Sequence, residues 1–326
     1  DGNLSKILVE NLVHAGNSNL QLSDKTELSI RNSFSVPNPR IMTVSGEDGI
    51  LALGDTVTFD SQSQFILNSN KTKVSGVFDF TRNNTLDVQQ SVTFQSSSSK
   101  NVWGDNSKIK IANSATLAYI DNQWETLGSL TKTGGSMSLQ NVVWTLSDDT
   151  SYSSDNAIEI KTLALNNNLL TLGTAGSDIS VTDNMTFDNS SEQIVTGSAD
   201  LTLQGGFIMQ DGLISSTGGI VGFEKGGEQS GGSLDFSGGT FKLGDDFTKT
   251  AGTLTTTEAG TILELTKSLS LTSNTSLAVK TLNLNDKTIT LGSETTDLTV
   301  SDAISLDGVD EKIHSQSADL TLDGLL

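Results

Sequence analysis

Residues 280–322 read KTLNLNDKTITLGSETTDLTVSDAISLDGVDEKIHSQSADLTL, and their apolar residues recur in pairs separated by one polar residue. Apolar residues at every second position are typical of a short strand that buries one face. No stretch of helix length carries apolar residues three and four positions apart, so the sequence favours an all-β fold. The pairs are Leu282/Leu284, Ile289/Leu291, Leu298/Val300, Ile304/Leu306 and Leu320/Leu322.

The spacing of these pairs indicates how the strands are arranged. Leu282 and Ile304 are 22 positions apart, and Ile289 and Ile313 are 24 apart. Strands of three or four residues are shorter than the roughly 5–6 residues usual in open sheets. The pattern therefore predicts a parallel β-helix, or β-solenoid, with about three short strands per turn of 22–24 residues. The crossover preference of parallel strands predicts a right-handed sense.

The same pattern occurs earlier in the chain. Residues 161–203 match residues 280–322 at an offset of 119 without a gap, and the match continues upstream at an offset of 117. We therefore divide one continuous solenoid into residues 1–115, a degenerate N-terminal unit, residues 116–232, repeat unit A, and residues 233–326, a truncated repeat unit B. Because unit B stops in mid-repeat, we expect a segment of a longer chain.

Composition excludes several functional classes. Lys and Arg number 19 against 39 Asp and Glu, a net charge of −20 that repels nucleic acid and anionic membrane surfaces. No run approaches the roughly 20 apolar residues of a transmembrane helix, so we expect no membrane insertion in this segment. Cysteine is absent, which excludes disulfides and thiolate chemistry.

The repeated apolar pairs, the Asn, Ser, Thr and Gly content and the acidic balance resemble the β-solenoid shafts of large bacterial surface and secreted proteins, of the filamentous-haemagglutinin and autotransporter-passenger kind. The likeness is one of style and contains no family-defining motif. It implies secretion, an extracellular or cell-surface location and a fibrous shaft with structural or adhesive roles.

Three tryptophans, Trp103, Trp124 and Trp144, are spaced by about one predicted turn. Such spacing can line up an aromatic platform for a carbohydrate chain, and surface glycans would then be a partner. The repeat favours the alternative of core stacking, because the position of Trp124 is held by Phe241 in the next unit.

Aspartates that recur between the two copies offer oxygen ligands to Ca²⁺, which takes six to eight of them. The alternative is that these residues cap turns, and calcium-binding repeat motifs and EF-hand loops are missing from the sequence. We expect no cofactor, with Ca²⁺ as the alternative. The candidates are Asp178, Asp183, Asp188, Asp297, Asp302 and Asp307.

The sequence contains no nucleophile elbow, phosphate-binding loop or zinc-binding helix, and we identify no catalytic residue. We expect a non-enzymatic structural or adhesive protein that pairs with itself, head-to-tail in a filament or within a longer chain. The first alternative is a carbohydrate-processing enzyme or tailspike on a β-helix scaffold, with paired carboxylates on one outer face. The second alternative is a calcium-dependent adhesin.

Overall fold

A computed structural model of the chain describes residues 5–13, 16–21, 26–37, 40–46, 50–53, 56–60, 62–69, 73–74, 77–95, 100–244, 247–257, 259–271, 276–292, 296–306 and 308–323. Throughout these ranges the protein is all-β, and parallel strands stack into a β-solenoid of about 13 turns. No helix in the described part of the chain is long and apolar enough to cross a membrane. The predicted fold class is thereby confirmed, while its right-handed sense stays a prediction.

The chain forms two compact units, residues 1–164 and 165–326. The division into 1–115, 116–232 and 233–326 rests on sequence similarity and stays a prediction. The strands of the first unit are β1 (Ser5–Val13), β2 (Ser18–Gln21), β3 (Thr26–Val36), β4 (Ile41–Gly46), β5 (Ile50–Leu53), β6 (Thr56–Phe59), β7 (Gln64–Ser69), β8 (Lys73–Val74), β9 (Val77–Phe80), β10 (Thr85–Val88), β11 (Val92–Gln95), β12 (Lys100–Gly104), β13 (Ser107–Ile120), β14 (Gln123–Leu127), β15 (Leu130–Gln140), β16 (Val143–Leu146), β17 (Thr150–Ser153), β18 (Ile158–Ile160) and β19 (Thr162–Ala164).

Two sheets dominate the first unit. One has the order β1-β3-β6-β9-β12-β14-β16-β19, and the other includes β2-β4-β7-β10-β13-β15-β17. Some strands here are long enough to pair with two shorter strands. β13 pairs with β10 through Lys108–Ile111 and with β11 through Leu117–Ile120. This part of the chain therefore departs from the expected three separate strands per turn.

The strands of the second unit are β20 (Leu169–Leu172), β21 (Ile179–Val181), β22 (Met185–Phe187), β23 (Gln193–Val195), β24 (Leu201–Leu203), β25 (Phe207–Met209), β26 (Leu213–Ser216), β27 (Ile220–Phe223), β28 (Gly227–Gln229), β29 (Ser233–Phe236), β30 (Gly239–Leu243), β31 (Phe247–Lys249), β32 (Thr253–Thr256), β33 (Thr261–Leu265), β34 (Leu269–Leu271), β35 (Leu277–Asn283), β36 (Thr288–Leu291), β37 (Leu298–Ser305), β38 (Lys312–Ser315) and β39 (Leu320–Leu322).

Successive strands of the second unit fall into three sheets in rotation. The orders are β20-β23-β26-β29-β32, β21-β24-β27-β30-β33-β35-β37-β39 and β22-β25-β28-β31, with β34-β36-β38 as a further short sheet. Three strands per turn are therefore observed from β20 to β31. Paired residues are 22 apart at Ile179 and Leu201 and 24 apart at Leu170 and Ile194, as predicted, whereas Leu234 and Leu254 are only 20 apart.

Strand pairing repeats at the offset of the sequence duplication. Leu170 pairs with Ile194 in the first copy, and Ile289 pairs with Ile313 in the second, 119 residues later. Ile179 pairs with Leu201, as Leu298 pairs with Leu320. The side chains of Leu170, Ile179, Ile289 and Leu298 are all buried. Apolar residues at equivalent positions of the two copies thus make equivalent pairs in the interior, because the same spacing along the chain brings them to the same place in each turn.

Candidate functional site

The three tryptophans lie inside the first unit. Trp103, Trp124 and Trp144 are each at most 1% exposed, on β12, β14 and β16 of the first sheet. Trp124 and Trp144 occupy directly paired positions. The structure therefore confirms the core-stacking alternative, and these indoles present no surface to a carbohydrate chain.

Aromatic side chains continue this stack in both directions. Neighbouring ring centroids lie between 4.6 and 6.2 Å apart, in stacked or edge-to-face arrangements that aromatic pairs prefer. The members of the column are all buried, so the column runs through the interior of the first unit. Its members in order are Phe34, Phe59, Phe80, Trp103, Trp124, Trp144 and Tyr152.

The recurring aspartates mostly link one turn to the next. The carboxylate of Asp178 accepts a hydrogen bond of 2.8 Å from the backbone N–H of Asp200, whose own carboxylate accepts one of 2.7 Å from Ile220. In the second copy, Asp297 accepts a 3.2 Å hydrogen bond from the N–H of Asp319. Burial, and then the negative charge of Asp200, raise the pKa of Asp178 above its ordinary value. These contacts are those of turn-capping residues.

Among the remaining calcium candidates, the described residues Asp183, Asp188 and Asp302 do not form a metal-binding group. Asp302 lies 3.8 Å from the ammonium of Lys280, and the backbone N–H of Asp188 donates to Glu192. Asp183 is engaged in its own polar contact, and Asp307 lies outside the described residues. Across the described ranges, no group of three or more His, Asp or Glu side chains is arranged to hold a metal ion.

An outer face of the first sheet carries two carboxylates that sequence reasoning missed. Asp79 on β9 and Glu125 on β14 both align with Val102 on β12, which places them two strands apart on one face. At a strand spacing of about 4.8 Å, their backbones are roughly 10 Å apart. Alternation within the strand predicts that Asp79 faces outward, because it lies between the inward residues Phe78 and Phe80, but it does not predict the pairing with Glu125.

The two carboxylates differ in their surroundings. Burial, followed by the charges of Glu125 and Asp60, raises the pKa of Asp79. Burial also acts to raise the pKa of Glu125, but the ammonium of Lys100 and the hydroxyl of Ser147 outweigh it and hold that pKa below its ordinary value. The pKa values of the two carboxyl groups on this face are therefore shifted in opposite directions. An open groove on the molecule, lined by Met137, Ser138, Leu139, Gln140 and Glu159, does not include them.

A buried lysine on β15 lies at the centre of a polar cluster in the first unit. The side chain of Lys132 is completely shielded from solvent, and its ammonium donates to the backbone oxygens of Gly134 at 2.5 Å and Gly135 at 2.6 Å. It also contacts Asp155 Oδ1 at 2.6 Å and the amide oxygen of Asn156, one turn later in the chain. We refer to Lys132, Asp155 and Asn156 as the lysine clip. Alternation from Leu130 predicts the inward position of Lys132.

Within the lysine clip, the positive charge of Lys132 is balanced by the carboxylate of Asp155. Burial acts to raise the pKa of Asp155, but the hydrogen bonds from Lys132 and from the N–H of Gly134 outweigh it and lower that pKa. An ammonium without solvent contact is tolerated because it is paired with a carboxylate and surrounded by oxygen acceptors. The clip thus joins β15 to the segment that follows β17.

Strands at the ends of the sheets expose apolar side chains. β1 is the first strand of its sheet, and Ile7, Leu8 and Val13 on it are 52%, 45% and 64% exposed. β39 ends another sheet, and Leu322 on it is 37% exposed. An edge strand presents unpaired N–H and C=O groups along its free side. These ends combine backbone pairing capacity with apolar surface.

Comparison with protein-family models, with curated proteins and with solved structures gives no match to this chain. The site must therefore be interpreted from its own geometry.

Proposed function

We propose that this chain is part of a structural or adhesive shaft, outside the cell or on its surface, that extends by pairing end to end with further copies of the same kind of solenoid. The observation that carries this proposal is β1, an end strand with Ile7, Leu8 and Val13 exposed. A parallel edge accepts another strand by main-chain hydrogen bonds, and apolar side chains add affinity.

We favour a second copy of this chain as the partner that pairs with the free edge of β1. Its β39 is also an end strand, and its neighbours pair in parallel as those of β1 do. The exposed apolar side chains of both strands would add affinity, since burial of apolar surface contributes about 25 cal/mol per Å². The mechanism is mechanical: stacked turns carry load through inter-strand hydrogen bonds and through the aromatic column.

Assembly is tested by electron microscopy and sedimentation of the purified chain across a range of salt concentrations. Because the net charge is −20, copies repel one another, and added salt should lengthen the filaments by screening that repulsion. Ile7→Lys should abolish end-to-end assembly. The matched control is Ile208→Lys, which alters an isoleucine 40% exposed on β25, a strand paired on both sides. Filaments that persist in Ile7→Lys, or short monodisperse particles at every salt concentration, would refute the proposal.

The paired carboxylates Asp79 and Glu125 favour one rival function, carbohydrate hydrolysis on the outer face of the first sheet. In inverting glycosidases the two carboxyl groups are about 6.5–9.5 Å apart, and the backbones that carry Asp79 and Glu125 are roughly 10 Å apart. In this rival mechanism Asp79 protonates the leaving oxygen and Glu125 activates water. Release of reducing ends from a panel of glycans by the wild type, abolished in Asp79→Asn, would establish it; no release from any glycan would dismiss it.

A further inference from the structure

The lysine clip holds an amine against an amide. The Nζ atom of Lys132 lies in contact with four oxygen atoms, those of Gly134, Gly135, Asp155 and Asn156. An ammonium has only three protons to donate. The nitrogen is therefore crowded against acceptors, and one of them is the side-chain carbonyl of Asn156, a carbon centre that an amine can attack.

The partners of the lysine are fixed in place. The hydroxyl of Ser154 donates to the backbone oxygen of Asn156 at 2.8 Å and accepts from its N–H at 3.1 Å. Asp155 Oδ2 accepts the N–H of Gly134 at 2.6 Å, while Oδ1 faces the lysine. Groups held side by side in fixed positions behave as though present at high concentration, which speeds reactions that are slow in solution.

We propose that Lys132 and Asn156 form an intramolecular isopeptide bond that covalently joins two successive turns of the first unit. Asp155 takes a proton from the ammonium and leaves a neutral amine. The Nζ lone pair attacks Cγ of Asn156, a C–N bond forms, and Asp155 returns its proton to the Nδ2 leaving group. The Cγ–Nδ2 bond breaks, and ammonia departs with the remaining lysine proton as ammonium. No oxidant, metal or cofactor takes part.

The solvent exposure of the side chains in the lysine clip suits this chemistry. Water is kept from the amine, because the Lys132 side chain has no solvent exposure, whereas the Asp155 side chain is 48% exposed and offers the leaving ammonia an exit. The sequence repeat also keeps a lysine at the equivalent position, Lys249, which is 6% exposed. The residue equivalent to Asn156 is Ser273 at the offset of 117 or Thr275 at the offset of 119, so the repeat keeps the lysine without the amide, and both positions lie outside the described residues.

The proposal does not depend on the shaft function, and the intact mass of the purified full chain tests it directly. We expect a mass lower than that of the sequence by one ammonia molecule. A protease digest should contain one branched peptide joining Lys132 to Asn156. A mass equal to that of the sequence would overturn the proposal. Loss of water together with a branched peptide at Asp155 would also overturn the proposal, because the bond would then join Lys132 to Asp155 and not to Asn156.

Variants separate this bond from other losses of ammonia, such as cyclisation at an asparagine elsewhere. Lys132→Arg keeps the charge and Asn156→Ala alters an exposed side chain, and both should restore the full mass. Asp155→Ala should do the same by removing the proton acceptor. The matched control is Lys242→Arg, which alters a second ion pair between turns, 3.1 Å from Glu264, and should still lose ammonia. Ammonia loss in Asn156→Ala would refute the assignment.

Discussion

Trp124 and Trp144 occupy paired positions on neighbouring strands, with their ring centroids 6.1 Å apart and their planes at 73°. Their indole nitrogens differ. Trp144 Nε1 donates to Thr126 Oγ1 at 3.1 Å, whereas Trp124 Nε1 has no hydrogen-bond partner among the described residues. Two neighbouring indoles of the same stack therefore differ, because the N–H of one is hydrogen-bonded and the N–H of the other is not.

This difference predicts unequal costs for the same substitution. Trp144→Phe removes a buried hydrogen bond, whereas Trp124→Phe removes a donor that has no bond to lose. We expect Trp144→Phe to be the more destabilising by about 1 kcal/mol. Urea unfolding of both variants measures the difference, and equal midpoints would contradict it. Truncation of either residue to alanine should cost about 3–5 kcal/mol through the cavity left behind.

Gly104 is the position where a single methyl group should do most harm. A Cβ atom built there would lie 1.4 Å from the backbone oxygen of Thr81 on the previous turn. Because backbone atoms on both sides must move, Gly104→Ala should destabilise the first unit by about 3 kcal/mol or more. Gly16→Ala is the control, since its Cβ would meet nothing within 4 Å. Thermal unfolding of the two variants provides the comparison, and similar melting temperatures would show that the turns are not packed this closely.

The raised pKa of Asp79 predicts a stabilising substitution. Its carboxylate is disfavoured in the folded protein by burial and by Glu125 and Asp60, so its ionisation opposes folding as the pH rises past its ordinary pKa of about 4. Asp79→Asn should therefore raise the melting temperature at pH 7. Below the ordinary pKa, where the group is protonated in both states, the gain should vanish.

In the Asn156→Ala variant, in which Lys132 keeps its ammonium, Asp155 should behave in the opposite way. Its pKa is lowered in the folded protein, so the stability it contributes is present above its ordinary pKa and is lost as the pH falls through the lowered value. Adding Asp155→Asn to this variant should lower the melting temperature at pH 7 and have a smaller effect in acid. Melting curves of both asparagine variants at pH 7 and in acid test the two predictions. Shifts in melting temperature of the same sign for Asp79→Asn and Asp155→Asn would contradict the assigned directions of the two pKa shifts.

The capping contacts of the aspartates predict that a calcium chelator leaves the melting temperature unchanged. The carboxylates of Asp178 and Asp200 are already used by backbone N–H groups of the following turn. Asp200→Ala should instead cost about 1 kcal/mol with or without chelator, because it removes a hydrogen bond between turns. A fall in melting temperature on adding chelator would favour the calcium-dependent adhesin.

Much of the fold follows from the order of residues alone. Alternation at Leu298 and Val300 marks a strand, and the 119-residue offset marks equal positions in two copies, because side chains on a strand must alternate between faces. The repeat, which places Phe241 at the position of Trp124 one unit later, favoured a core location for the tryptophans. Such inferences succeed because they need only local geometry and repetition.

The tertiary structure alone decided which side chains meet across turns. Lys132 and Asn156 are 24 positions apart, and Asp79 and Glu125 are 46 apart. Turn lengths here vary between neighbouring strands, so a small change in one loop would bring different residues into register. The sequence determined a solenoid with an aliphatic and aromatic interior, since that depends on period. The clip and the carboxylate pair depend on the register between turns, which only the folded chain defines.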